Sequence, residues 1–378
     1  MKKHPLRLVL SILISVGLIY WSLRGKDLAQ IWIQLKLANY WYLLPYVAIL
    51  LIIHVLRTVR WGMLIAPLEK MPFKRLNAVS AVGFMALIVL PFRLGEFARP
   101  YLIRVPGKVS AAAAMASIVV ERVLDGLMVA ALLVTLLIRV PVGGPNIEWV
   151  RRGGYAMFAF FLGLLVFLVV AYVARDLALK VVRATAGRIS PKLAEKICYL
   201  VDSFVSGLRA LPSARQIAVI ILLTACYWGI NGFGMLVLAL GFDIHLSLLQ
   251  AYTVLGVLVI GVMLPAGPGM VGTFQAFTQL GLSLFIAQTE SARGAAYANV
   301  LWAGQFVQQV ALGLFFLSSK HLSSDHHRVT LGELMDAEED VEDEGEKSDP
   351  KDPPDALEQR KLAEARPALA GLPELPDR

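Results

Sequence analysis

Charge, cysteine and nucleotide-binding motifs are all scarce in this sequence, and each shortage removes a class of function. Cys198 and Cys226 are the only two cysteines in 378 residues. They have neither metal-ligand spacing nor a disulfide framework, so both are read as inert and no metal site is expected. No Gly-x-x-x-x-Gly-Lys-[Ser/Thr] stretch occurs, which excludes a P-loop. No Ser/His/Asp arrangement stands out, and no cofactor is implied. Charged residues make up 17% of the chain and hydrophobic ones 57%, with a mean hydropathy of +0.65. Soluble domains hold about 25% charged and 45–50% apolar residues, so an ordinary soluble fold is excluded.

Acidic residues are especially rare in the body of the chain. Residues 1–324 carry 29 Lys and Arg against 11 Asp and Glu, whereas residues 325–378 carry 7 against 17. The basic residues of the body sit at the ends of apolar runs rather than on a soluble face, which argues against a nucleic-acid module. They suit an anionic bilayer surface, where each juxtamembrane Lys or Arg contributes about 1 kcal/mol. Lys2, Lys3 and Arg7 precede an apolar run over 8–23 that ends without a small-residue cleavage site, so this run is read as an uncleaved anchor.

What is present is a series of long apolar runs. A hydrocarbon core of ~30 Å needs about 20 helical residues. Six runs meet that length: 8–23, 41–59, 111–138, 153–174, 214–240 and 294–318. Two others, 76–98 and 247–287, are interrupted by Pro and Gly. The fold class is therefore an all-α polytopic membrane protein with six full spans and two broken elements. The segment Asp27–Ala38 has Leu28, Ile31, Trp32 and Leu35 at helical spacing and is expected to lie along the interface.

Loop charge sets the direction of each span. The N-terminus, the connection with Arg57, Arg60, Lys70, Lys74 and Arg75, and the basic loop over 175–213 all belong inside. Counting back from that loop places Arg99, Arg104 and Lys108 inside too. Run 76–98 then starts and ends on one face, so it is read as re-entrant, turning near Pro91–Gly95. By the same parity 247–287 begins and ends outside, either as a re-entrant element or as two spans. The C-terminus is cytoplasmic in both cases, and the inner membrane of a bacterium is the expected location. Two broken elements entering from opposite faces are the geometry of inverted-repeat transporters, although no clean sequence repeat is found. Residues 1–318 thus form the membrane domain. Residues 319–378 form an acidic tail too poor in apolar residues to order itself. The tail is read as a solvated cytoplasmic appendage; docking on a basic protein partner is the alternative. Nothing in the sequence sets an oligomeric state.

Three polar features interrupt the apolar body. In the first, Arg93, Glu96 and Arg99 recur three residues apart and share one face if that stretch is helical. In the second, Glu121 and Asp125 are i, i+4 neighbours on the run 111–138, with Arg122 placed to pair with Asp125. Ionisable residues at such depth are costly and usually pair or line a wet cavity. They read either as a structural ion-pair knot or as a pocket for a lipid head group, where Arg would offer a planar fork to phosphate. The third feature is Pro265-Ala266-Gly267-Pro268-Gly269, followed by Gly272 and Thr273. It ends one apolar helix and starts another near Met270, whose free N–H groups would attract an anion. Pro265 and Pro268 are the expected hinge. Arg57 and Arg60, beside Trp61, read as snorkelling anchors. Asn231, Asn299, Gln305, Gln308 and Gln309 read as interhelical hydrogen-bonding residues.

Arg60-Trp61, Arg93-Leu94-Gly95-Glu96 with Arg99, Glu121-Arg122 with Asp125, and Pro265–Gly269 with Gly272-Thr273 occur in this order at suitable separations. Together they resemble the lysylphosphatidylglycerol synthase transmembrane (flippase-like) family, including its UPF0104-type members, over residues 5–318. In bifunctional members this region moves aminoacylated phosphatidylglycerol between leaflets, and a separate soluble domain makes that lipid. Here the 61 residues after Leu317 are net acidic, so synthesis of the lysyl lipid is not expected. The resemblance implies a lipid-handling membrane module whose partner is an anionic phospholipid or a polyprenyl-phosphate lipid. Arg93, Arg99 and Arg122 would hold phosphate, while Glu96, Glu121 and Asp125 would tune selectivity. Two other functions stay open at this point: a membrane enzyme or accessory for glycosyl or aminoacyl transfer, and a scaffold recruiting a partner through the tail.

Overall fold

The computed structural model describes residues 16–17, 20, 27–90, 95–104, 109, 111–139, 147–174, 179–180, 183–184, 198, 214–264, 267–287 and 290–318. The first apolar run falls almost wholly outside these residues, and the acidic tail lies outside them, as do Arg93, Pro265 and Ala266. Every regular element among the described residues is helical. Ten α-helices follow in order: α1 (Leu28–Leu37), α2 (Leu43–Ile65), α3 (Phe73–Val89), α4 (Ala98–Ile103), α5 (Ala111–Arg139), α6 (Ile147–Val173), α7 (Ala214–Leu240), α8 (Leu248–Met263), α9 (Thr273–Leu282) and α10 (Ser291–Leu317).

Four stretches, within or around α2, α6, α7 and α10, are long and apolar enough to cross a bilayer. α5 has the length, 29 residues, but carries Glu121, Arg122 and Asp125 near its middle. These helices account for five of the six expected spans. At the start of α1 the Asp27 N-cap accepts from Ala29 and Gln30, and along the helix Leu28, Trp32 and Leu37 stay exposed while Ile31 is buried. That one-sided burial matches a helix lying at an interface.

Contacts between named residues fix the direction of each helix. α2 and α7 are antiparallel: Gly234 leaves room for Tyr46 and Ile49, and Gly241 for Asn39 and Tyr42. At their other end Arg60 donates to Thr224. The chain turns from α2 into α3 at that second end, which we call the basic end because Lys70, Lys74, Arg75 and Arg104 gather there. Arg75 donates to the carbonyl of Arg104 across it, at 3.2 Å.

α3 and α4 form a helical hairpin. Gly95 lies against the backbone of Ala86 and Leu87, and Gly83 lies against the stem of Arg99. With the bond from Arg75 to Arg104, these pairs run antiparallel, so the strand of chain after Leu90 returns to the end it left. A returning limb of six helical residues is far below the ~20 needed to cross. The element is re-entrant, as parity requires. α3 packs on all sides through small residues, with Ala78, Ser80, Ala81, Gly83 and Ala86 all buried. In lipid such residues drive close packing where no hydrophobic force between helices exists.

α8 and α9 form a second hairpin. Phe277 covers Gly261, and Val254 meets Gly281, so these two limbs are also antiparallel. α9 has only 10 residues, which decides for a re-entrant element over two spans. Because α8 starts where α7 ends, this hairpin enters from the end opposite the basic one. The order helix, hairpin, helix therefore occurs twice: α2, α3/α4, α5 and then, running the other way, α7, α8/α9, α10. That connectivity is an inverted repeat.

Candidate functional site

The polar residues of α2, α4 and α5 meet inside the bundle. Arg60 holds Asp125 with two parallel bonds, Nη1 to Oδ1 at 2.5 Å and Nη2 to Oδ2 at 2.9 Å. Its Nη2 also donates to Glu121 at 2.7 Å. The second oxygen of Glu121 accepts from Arg99 at 2.9 Å. Trp228 Nε1 donates to Asp125 at 3.1 Å, and Trp61 Nε1 donates to Ser117 at 3.1 Å. Arg60, Arg99, Glu121 and Asp125 are all no more than 2% exposed. Asp125 lies 14 residues into α5, about 21 Å along a helix of 1.5 Å rise per residue. Charges this deep are tolerated because each carboxylate oxygen has a cationic donor.

This geometry changes several expectations. Arg60 is not a snorkelling anchor; it is the centre of the buried network. Asp125 pairs with Arg60 rather than with its helical neighbour Arg122, whose Nε stands 3.5 Å from Glu96. Regular helix starts only at Ala98, and Glu96 sits in the tight turn before it, so Glu96 and Arg99 do not continue one helix face. Arg93 lies outside the described residues. Arg99 is committed to Glu121 and packs over Trp61 and Phe84, at 5.1 and 4.8 Å from their ring centres.

Arg57 is different. Its guanidinium lies 3.6 Å from the centre of the Phe84 ring and 5.7 Å from that of Tyr227. Among the described residues it has no ion pair, and its Nε has no hydrogen-bond partner. A cation over an aromatic face gains ~0.5–2 kcal/mol when desolvated, which helps hold a charge that no described carboxylate pairs with directly. Among the described residues, Arg57, Arg60, Arg99 and Arg122 face Glu96, Glu121 and Asp125, leaving one positive charge in excess.

Arg57 opens into a chamber. A cavity of about 130 Å³ is bounded by Arg57, Arg122 and Asp125 on one side. A smaller one of about 50 Å³ adjoins it around His54 and Phe84. Both share Arg57, Tyr227, Asn231, Gln305 and Gln309. Asn231, Gln305 and Gln309 therefore line space, and Gln305 also makes a bond of the kind expected between helices, with Tyr46 of α2. Asn299 bonds within its own helix, to Ala295 at 2.9 Å. Leu87 and Ile88, near the tip of the first hairpin, and Met263 and Met270, at the tip of the second, line the same cavity. The described residues flanking the two turns thus approach from opposite ends and line one chamber.

The second tip is built on its glycines. Gly269 and Gly272 have φ of 73° and 84°, conformations open to Gly at little cost. Met270 between them shares that left-handed region at φ 53°, a strained position of a kind that clusters at functional sites. Pro268 opens the tight turn 268–270 with Gly267 as its cap, and regular helix resumes at Thr273, three residues later than expected. Trp302 Nε1 donates to the carbonyl of Gly269 at 2.7 Å. The N–H of Gly272, expected to be free for an anion, donates instead to Gln275 at 2.8 Å. Thr273 is fully buried and its hydroxyl lacks a partner.

Of the residues singled out in the sequence, Arg122 and Asp125 line the chamber, while Arg99 and Glu121 support it from the network behind. Arg57 and the three amides also line it; the sequence pattern assigns them the roles of anchor and interhelical hydrogen-bonding residues because nothing local marks them as chamber-facing. No group of acidic, His and Cys residues able to hold a metal occurs among the described residues.

No curated protein and no solved structure gives a significant match to this chain. One family model does match, that of the lysylphosphatidylglycerol synthase TM region, over residues 8–313. That match spans most of the chain, and the protein belongs to the lysylphosphatidylglycerol synthase TM region family.

Proposed function

We propose that this protein carries the phosphate-bearing head group of a membrane lipid, an anionic phospholipid or a lipid-linked phosphate, between the leaflets of a bacterial inner membrane. The observation supporting this reading most is Arg57, a guanidinium with no ion pair among the described residues, in a chamber where two re-entrant hairpins meet. Irregular backbone at membrane depth is tolerated where it lines a cavity, and substrate sites of inverted-repeat transporters lie at such breaks. Arg57 and Arg122 would hold phosphate. Arg60, Arg99, Glu121 and Asp125 would brace α2, α4 and α5 around it. The hairpin tips would close the chamber alternately toward each face. The basic end, rich in Lys and Arg, would be cytoplasmic by the positive-inside rule, which puts both termini there.

The test is leaflet-resolved movement of labelled lipid in proteoliposomes. Arg57→Gln is expected to slow movement at least about tenfold, equivalent to ~1.4 kcal/mol on the barrier. Wild-type rates for both Arg57→Gln and Arg122→Gln, at normal protein levels, would remove the chamber from the mechanism.

A further inference from the structure

The lining of the chamber is specific about what kind of head group it fits, and this inference rests on the transport reading above. Three neutral amides, Asn231, Gln305 and Gln309, line both of its cavities beside Arg57. A fourth, Gln308, borders the smaller cavity with its amide nitrogen buried and without a partner. An amide offers both donors and acceptors, as a hydroxyl does, so several convergent amides complement a polyol.

An amine head group would need a carboxylate with charge to spare. Among the described residues Asp125 is the carboxylate lining the chamber. Both of its oxygens already accept from Arg60, and one also accepts from Trp228. Counted over the described residues, the charge balance of the network is positive by one. Among the described residues an added ammonium would meet Arg57 and Arg122 with no uncommitted carboxylate lining the chamber, and like charges in a poorly hydrated space repel strongly.

We infer that the chamber selects a phosphate linked to a neutral, hydroxyl-bearing head group, such as glycerol, inositol or a sugar, and rejects head groups carrying an amine, aminoacyl esters included. The phosphate pairs with Arg57 and Arg122, and the hydroxyls with Asn231, Gln305, Gln308 and Gln309. The cavity of about 130 Å³ has room for roughly four waters at ~30 Å³ each, the scale of a head group rather than of a whole lipid.

The full chain, purified in detergent and exchanged with defined lipid mixtures, tests this by native mass spectrometry of retained lipids. Phosphatidylglycerol and phosphatidylinositol should be retained about tenfold more than phosphatidylethanolamine or lysylphosphatidylglycerol, a difference of ~1.4 kcal/mol. Gln309→Glu, which adds a carboxylate with almost no change of shape, should shift the preference toward the amine-bearing lipids. Arg57→Gln should abolish it while leaving the thermal melt near that of the wild type. Equal or better retention of the amine-bearing lipids by the wild type overturns the inference, as does a preference untouched by Gln309→Glu and Arg57→Gln in folded protein. Soluble glycerol 3-phosphate that displaces the bound lipid assigns the site to the head group alone; lipid retained against it assigns the site to the anchored lipid. Head-group preference without leaflet movement in proteoliposomes would sink the transport reading and leave this one standing.

Discussion

Arg60 and Asp125 face each other across α2 and α5 through two parallel hydrogen bonds, and no water-exposed surface remains on either to speak of. The pair ties a helix that runs toward the basic end to one that runs away from it. Glu121, one turn earlier on α5, extends the tie to Arg99 on the returning limb of the first hairpin. Three elements are thus held by four side chains.

Breaking that tie should cost stability rather than selectivity. Arg60→Met leaves Glu121 and Asp125 short of a counter-charge, and stranding a buried charge costs ~3–5 kcal/mol. A fall in melting temperature and in the yield of monodisperse protein in detergent would check this. Arg57→Gln removes no ion pair, so its loss should stay near the ~0.5–2 kcal/mol of its ring contact. If the two variants melt alike, the division between bracing and chamber-facing arginines is wrong.

Much of this architecture was legible in the sequence because membrane crossing imposes a length. The runs now seen as α2, α5, α6, α7 and α10 stood out for that reason, and charge parity alone required 76–98 to turn back. The partner of Asp125 was not legible. Arg122 lies three residues away and suits a helical pair, whereas Arg60 is 65 positions distant and looks like an interfacial anchor beside Trp61. Only tertiary packing distinguishes them. The capping of Gly272 was closer to the surface of the sequence. Gln275 stands three residues after it, the spacing at which a Gln side chain reaches back to a helix cap.

The first hairpin depends on a close approach that only glycine permits. A Cβ on Gly95 would run into the backbone of Ala86 and Leu87, which cannot yield as a side chain can. Gly95→Ala should therefore push the limb carrying Glu96 and Arg99 away from α3 and lower the melting temperature. Gly163, within α6, has nothing within 4 Å of the same position. Gly163→Ala should be neutral, or stabilise by up to ~1 kcal/mol through helix propensity. The two substitutions are chemically identical, so a thermal melt of each isolates the packing effect.

The tip of the second hairpin hangs on one side-chain bond from α10. Trp302→Phe keeps an aromatic ring against Phe306, which it stacks on at 5.2 Å, but deletes the N–H that reaches Gly269. A neutral hydrogen bond of this kind contributes ~0.5–1.5 kcal/mol. Amide exchange over 267–275 should accelerate accordingly while α2 and α7 keep their protection. Unchanged exchange would mean that the glycine backbone holds the tip unaided.

The opposed entry of the two hairpins makes a prediction about sidedness that needs no knowledge of the lipid. Lys70 lies between α2 and α3 at the end the first hairpin leaves from. His245 lies between α7 and α8 at the end the second leaves from, where Asp243 accepts from Arg293 of α10. α2 and α7 run antiparallel and each reaches from one end to the other. In a background with Cys198 and Cys226 replaced, Lys70→Cys and His245→Cys should react with an impermeant thiol reagent from opposite sides of sealed, oriented vesicles. The positive-inside rule further assigns Lys70 to the cytoplasmic side. Labelling of both from one side would place both hairpins on the same face, and the inverted relation between α2–α5 and α7–α10 would no longer hold.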